Sequence, residues 1–297
     1  MGKSFVSVVA LVVLFGCNRF DRRLEYVPTD SRTMNARLSY SVYTPPGFGP
    51  DERLPLVLFL HGGGDDPAVF DRHGLSPVLD AAVERGDVPR AVIFFPQGDN
   101  GFWMNWADGT RHYEDWILDE LMPQVAERYH TAACPEHCHV MGVSMGAHGA
   151  IRFALHRPER FASVSALSGP IFDSEQMTDF TNNRLYNIMI PTHRIFGEPD
   201  PTTLAREDVF LRWDDPDDLR LSLFLAWGTR DRGGLKNLNV RFSRHLRERD
   251  VPHHAEEFEG NHSWVSWTPV IMRALRYQVA GEALSPADGF DVVATRD

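Results

Sequence analysis

Gly142-Val143-Ser144-Met145-Gly146 constrains this chain more than any other segment, because it joins an apolar, β-branched run, HVMGV, to a stretch of helical spacing, AHGAIRFALH. In that stretch Ala147, Ala150, Ile151, Ala154 and Leu155 recur at helical intervals. A serine at so tight a strand-to-helix turn is forced into a strained backbone conformation, and side chains two positions away would collide with the neighbouring strand or helix. Glycines at 142 and 146 relieve that crowding. Ser144 is therefore expected to project its hydroxyl above a sheet edge, beside the positive end of a helix dipole that favours a developing negative charge. The bland alternative is a Gly-Ser helix entry with packing value only.

The rest of the chain repeats the alternation. Runs RLSYSVYTP, LPLVLFLHGGG, AVIFFPQG, SVSALSG, LSLFLAWG and AEEFEG are interleaved with helical patterns near 75–85, 114–129 and 235–250 and at the closing segment. Such interleaving predicts an α/β fold with a mostly parallel central sheet and helices on both faces. One domain over 34–280 suits a chain of 297 residues, since large α/β folds of this length bury a single core. Pro123 interrupts the 114–129 pattern and is expected to kink it or divide it into two short helices. Residues 170–218, rich in Pro, Asp and Asn, read as an excursion from the sheet, either a lid or surface decoration. The polar stretch 281–297 reads as a loose tail.

A serine hydroxyl needs a base to become a nucleophile near neutral pH. Among 13 histidines, His262 in EGNHSWVSW is best placed, after the last strand pattern and before the last helix. His148 lies on the helix after the elbow, where a packing or surface role is expected. His253 and His254 precede the strand and belong to the opposite sheet edge. The imidazole in turn needs a carboxylate, and Asp231 in GTRDRGG follows a strand at the edge where such folds place functional loops. Asp200, Asp214 and Asp215 are the competing carboxylates, and a turn cap is the structural alternative for Asp231.

An oxyanion needs two N–H donors. Met145 supplies one, and the glycine run of LHGGGDD supplies another, with Gly63 the first choice and Gly64 the next. His61 reads as a support for that loop rather than a second base. A nucleotide-phosphate loop is excluded because the run lacks the required Lys and Ser/Thr. Trp103, Asn105 and Trp106 in PQGDNGFWMNWADG and Trp264 beyond His262 are candidate substrate-lining side chains, with ordinary packing as the alternative. Trp264 and Trp267 are also expected to fix the closing helix.

The N-terminus, MGKSFVSVVALVVLFGC, has one cation at Lys3 and an apolar run from Phe5 to Phe15. That run is too short for ~30 Å of hydrocarbon at ~1.5 Å per residue and reads as a signal-peptide core over 1–16. Leu14-Phe15-Gly16-Cys17 resembles a bacterial lipoprotein box, which implies acylation of Cys17, a charged linker over 17–33 and a membrane anchor. Phe15 is bulkier than the residue usual there, and a plain secretory signal is the alternative. Asn18 suggests outer-membrane sorting within the cell envelope. Export makes a Cys134–Cys138 disulfide the expected state, with free thiols or, given His137 and His139, a metal site as alternatives. With 30 Lys and Arg against 41 Asp and Glu and no basic stripe, nucleic acid is excluded as an expected partner.

Five landmarks in order, LHGGG, YEDWILDELMPQVAERY, GVSMGAHGA, WGTRD and GNHSW, resemble the esterase-D-like branch of the α/β-hydrolases over about residues 36–280. That branch includes S-formylglutathione hydrolases, feruloyl and acetylxylan esterases, siderophore esterases and mycolyltransferases. Ala147 replaces a glycine common after SMG. The resemblance implies the α/β-hydrolase fold and a serine carboxylesterase that needs no metal or organic cofactor. Export favours carbohydrate-linked or phenolic esters over an intracellular glutathione-derived one. The open alternatives are an acyltransferase of the mycolyltransferase type, a serine peptidase, and a non-catalytic lipoprotein that keeps the hydrolase body as a binding module. Neither the acyl and alcohol parts of the ester nor the oligomeric state is assigned by the sequence.

Overall fold

The computed structural model describes residues 24–198, 200–211, 221–232 and 234–281. Its strands are β1 (Leu24–Ser31), β2 (Ala36–Tyr43), β3 (Leu56–Leu60), β4 (Val92–Pro96), β5 (Cys138–Val143), β6 (Ser163–Leu167), β7 (Ser222–Arg230) and β8 (His254–Asn261). They form one sheet in the order β1-β2-β4-β3-β5-β6-β7-β8. The pairs from β4 through β8 are parallel, whereas β1 runs antiparallel to β2 and β2 antiparallel to β4. This is the mostly parallel α/β sheet expected.

One expectation is corrected at the start of the sheet. The composition of 17–33 suggests a charged linker, but residues 24–31 are the edge strand β1. Residue type does not alternate there, since Tyr26-Val27-Pro28 is followed by the polar run Thr29-Asp30-Ser31, and Pro28 is tolerated at an edge, so the strand resembles a linker in composition. Tertiary contacts hold it. The Glu120 carboxylate accepts from Ser31 Oγ at 2.9 Å, Arg32 N at 3.0 Å and Thr33 N at 3.2 Å, and Glu25 binds Arg128 and Tyr129. Residues 1–16, expected to be a signal peptide, together with Cys17, the residues beyond Gly281, and Asp214 and Asp215, lie outside the described residues.

The helices are α1 (Val69–Arg72), α2 (Leu75–Glu84), α3 (Tyr113–Asp115), α4 (Met122–Arg128), α5 (Met145–His156), α6 (Ser174–Asn182), α7 (Arg184–Met189), α8 (Thr192–Phe196), α9 (Pro201–Glu207), α10 (Leu235–Arg247) and α11 (Trp264–Ala280). Alternation along the strands splits the core in two. Leu56, Leu58 and Leu60 of β3 pack with Ile151 of α5 and Phe242 of α10, while Val57 and Phe59 face Leu79 of α2 and Ile271 of α11. Each such side chain, fully buried, contributes about 1.5–3 kcal/mol.

A π-helical segment, Trp116–Leu121, joins α3 to α4. Pro123 falls in the first turn of α4, where a missing N–H costs least, so it marks a change of helix type. The described part of the 170–218 excursion is a packed layer of short helices, with Met177, Ile195, Phe196 and Val209 buried in the β3–α5 side of the core. Cys134, in the turn before β5, is disulfide-bonded to Cys138, the first residue of that strand. No helix among the described residues is long and apolar enough to cross a membrane.

Candidate active site

Ser144 stands between β5 and α5 with φ +54° and ψ −122°, a conformation that L-residues seldom adopt. A Cβ at Gly142 would lie 2.0 Å from the Gly146 carbonyl oxygen, and one at Gly146 would lie 1.9 Å from that of Leu60. Both glycines are thus required by backbone contact, as the turn predicts.

Three candidate side chains converge on that turn. His262 Nε2 lies 2.8 Å from Ser144 Oγ, and His262 Nδ1 lies 3.1 Å from Asp231 Oδ1. Trp267 packs edge-on against the imidazole with ring centroids 4.7 Å apart. The Asp231 side chain is wholly buried. Burial alone would raise its pKa, but hydrogen bonds from His262, the Gly228 amide and Ser168 outweigh it and hold the carboxyl below its ordinary range. The Gly228 amide donates to Asp231 Oδ2 at 2.9 Å, and Trp267 Nε1 donates to Ser168 Oγ at 3.0 Å. Ser168 and Trp267 therefore set the carboxylate and ring from behind. Sequence reasoning missed Ser168; its place in the Ser168-Gly169-Pro170 turn at the end of β6 was the available signal.

The rival residues have other duties. His148 is fully buried, where desolvation depresses its pKa to about 3, and its ring packs among Phe102, Phe172 and Phe196. His253 bonds Ser243 and the Val251 carbonyl, and His254 opens β8 beside Glu256, at the far end of that strand from His262. Asp200 spends its carboxylate on Thr202 and Thr203.

The oxyanion expectation needs one correction. Among the described residues, the Gly63 and Met145 amides donate to no protein acceptor. The Gly64 amide does: it donates to Asn100 Oδ1 at 2.8 Å, so Gly64 is removed as a donor and Asn100 becomes a brace for the loop.

A cavity of about 860 Å³ opens at Ser144, His262, Gly63 and Met145. Its apolar wall includes Phe102, Phe172, Phe180 and Tyr186, and Asp179 and Arg232 stand among its polar lining. Phe102 and Phe180 meet at 5.4 Å between ring centroids and Phe180 and Tyr186 at 4.9 Å. None of the four expected substrate-lining residues faces it. Both rings are buried, but with φ of +54° at Phe102 and +63° at Trp103 it is Phe102 that lines the cavity while Trp103 packs beneath the loop. Asn105 Oδ1 accepts from Asp115 N, and Arg194 lies over Trp106 at 5.1 Å. Trp264 donates to Asp65 Oδ2 at 3.2 Å and stacks on His73, so its duty is to tie the His262 loop to the glycine loop. Among the described residues no group of three or more His, Cys, Asp or Glu side chains is placed to hold a metal ion.

Comparison with known proteins finds relatives in sequence and in fold. Esterase Rv1288 of Mycobacterium tuberculosis is 24% identical over 265 residues, which cover 82% of this chain and 57% of that protein. The chain thus spans little more than half the length of that curated relative. A ferulic acid esterase structure superposes with a TM-score of 0.72 at 19% identity, covering 86% of this chain and 98% of that one. The substrate-bound fluorophosphonate-binding serine hydrolase F of Staphylococcus aureus also gives 0.72, at 22% identity and the same coverage. These likenesses show the α/β-hydrolase fold. The sequence model of the family described as "Putative esterase" matches residues 31–277, and the chain belongs to that family.

Proposed function

We propose that the chain is a serine esterase in which Ser144 attacks the carbonyl carbon of a carboxylic ester, His262 carries the proton and Asp231 holds the imidazole. The observation that carries this reading is the pair of consecutive contacts, 2.8 Å from Ser144 to His262 and 3.1 Å from His262 to Asp231, at the mouth of an apolar cavity. His262 Nε2 takes the Ser144 proton as Oγ bonds the carbonyl carbon. The carbonyl oxygen becomes an oxyanion facing the Gly63 and Met145 amides. Collapse of that intermediate breaks the ester bond, and the alcohol leaves with the proton from His262. Water then attacks the acyl-enzyme, giving its proton to His262; the acid departs and Ser144 recovers its hydrogen.

The aromatic wall supports a bulky or phenolic acyl group. The signal-type N-terminus supports an exported enzyme acting on carbohydrate-linked esters, held in the cell envelope through acylated Cys17, anchored in the outer membrane or facing the periplasm, with secretion as the alternative. Replacing Cys17 with Ser should then move the protein from the membrane to the soluble fraction; an unchanged distribution removes the anchor.

A fluorophosphonate probe should label Ser144, and Ser144→Ala should abolish both labelling and p-nitrophenyl acetate turnover, a loss of about 10⁶-fold in kcat, with the fold retained. Folded wild type that resists the probe favours a non-catalytic binding module. With a sugar acceptor added, acyl transfer exceeding hydrolysis replaces the esterase with an acyltransferase.

A further inference from the structure

Gly63 shares its free amide with a peptide plane whose other end is pinned twice. The Gly62 carbonyl accepts from His61 Nδ1 at 2.8 Å and from Asp65 N at 3.2 Å. In a trans peptide the C=O and N–H point in opposite directions, so pinning Gly62 O aims the Gly63 N–H the other way. Gly63 lines the cavity with Ser144. We propose that His61 and Trp103 form a buttress that orients the Gly62–Gly63 peptide, which makes both of them positioning residues for the oxyanion donor. The proposal rests on the esterase reading above and adds the support that its oxyanion step requires.

His61 is held from two sides. Trp103 meets its ring edge-on, with centroids 4.7 Å apart, and donates from Nε1 to the His61 carbonyl at 3.3 Å. Across that carbonyl lies the start of α5, so close that a Cβ at Gly146 would stand 2.8 Å from His61 O. The ring itself is buried, and burial disfavours a second proton, which leaves a neutral imidazole donating from Nδ1. Its Nε2 has no hydrogen-bond partner among the described residues, so the ring gives one bond and relays no proton.

The molecule is shaped around Trp103. Phe102 and Trp103 adopt consecutive left-handed conformations, which bulky residues seldom do. A Cβ at Gly98 would lie 2.3 Å from the Trp103 ring, and one at Gly149 would lie 2.7 Å from the Trp103 Cβ. Such strain persists where the surroundings over-determine it, typically at functional sites. Here it carries the indole Nε1 to the His61 carbonyl.

His61→Leu keeps bulk and loses the donor. It should lower kcat for p-nitrophenyl acetate about 30-fold and leave KM within about twofold, because the Gly63 amide acts chiefly on the transition state. His61→Asn, whose amide nitrogen can take the place of Nδ1, should recover kcat to within about fivefold of wild type. The pH–rate profile should keep its shape in both. Trp103→Phe keeps an aromatic ring and loses the N–H, for an expected loss of about fivefold in kcat. Wild-type kcat in both His61→Leu and Trp103→Phe overturns the buttress, and so does an equal loss in folded Leu and Asn variants or a displaced pH profile. If His61→Leu fails to fold, Trp103→Phe decides, with unchanged kcat as the refuting result. A wild type that the fluorophosphonate cannot label at Ser144 removes the esterase reading itself, whereas a labelled, active wild type with unaffected variants removes the buttress alone.

Discussion

The two walls of the cleft are supported in different ways. Ser144, Asp231 and His262 stand at or just beyond the carboxyl ends of β5, β7 and β8, where strand register sets their spacing. The opposite wall, with Phe180 and Tyr186, comes from the short helices α6 and α7. That layer is tied down by side chains: Arg152 of α5 meets Glu207 of α9 at 2.6 Å and Glu114 of α3 at 3.4 Å, with all three buried. Its outer face is bare, with Leu185 and Ile188 of α7 at 76% and 80% exposure. On the proposed reading chemistry and substrate choice therefore rest on separate supports, and each can be damaged with the other left in place.

The largest test acts on the sheet edge alone. Asp231→Asn should lower kcat about 10⁴-fold through loss of the correct imidazole tautomer, with an unchanged circular dichroism spectrum. A loss under tenfold would mean that His262 is oriented by something else. On the other wall, Arg152→Ala removes the cation shared by the buried Glu114 and Glu207 carboxylates, leaving Glu207 with Arg206 alone, and should cost about 3–5 kcal/mol in urea unfolding. An unchanged unfolding midpoint would show that the helical layer is held by apolar packing instead.

Acid sharpens the same contrast. Burial alone would raise the pKa of Glu207, but Arg152 foremost and then Arg206 draw it down from its ordinary 4.5 to about 2. A folded-state value below the unfolded one means stability that is full above about pH 4.5 and is lost as pH falls towards 2. Glu207→Gln should thus be less stable than wild type at pH 7 and converge with it near pH 2; a constant gap would contradict the linkage. The smallest effect is expected from Phe180→Ala, which should lower kcat/KM for arylpropenoyl esters about tenfold and leave acetyl esters within about twofold. Equal losses on both ester types would take Phe180 out of acyl selection.

What was legible and what was not follow from the range of the interactions. GVSMG, TRD and GNHSW each carry their meaning within a few residues, at a strand end that apolar runs reveal, so the three convergent side chains were readable in order. Gly64 was misread because its amide is taken by Asn100, 36 residues away. Trp103 was misread because two positive φ angles exchanged its outlook with that of Phe102. The edge strand β1 was hidden because its polar residues bind distant partners, Glu25 with Arg128 and Ser31 with Glu120.

The alternation of strands and helices, the two obligatory glycines of the elbow and the set of candidate reacting groups are written in the order of the residues, since each follows from local sterics or from period-2 and period-3.6 patterning. Which amide faces the cavity, which aromatic rings line it and which carboxylates are held ionised underneath emerge only once the chain is folded. Those outcomes depend on groups far apart in the chain meeting at distances of a few ångströms, where a single peptide plane or one reversed φ changes the partner.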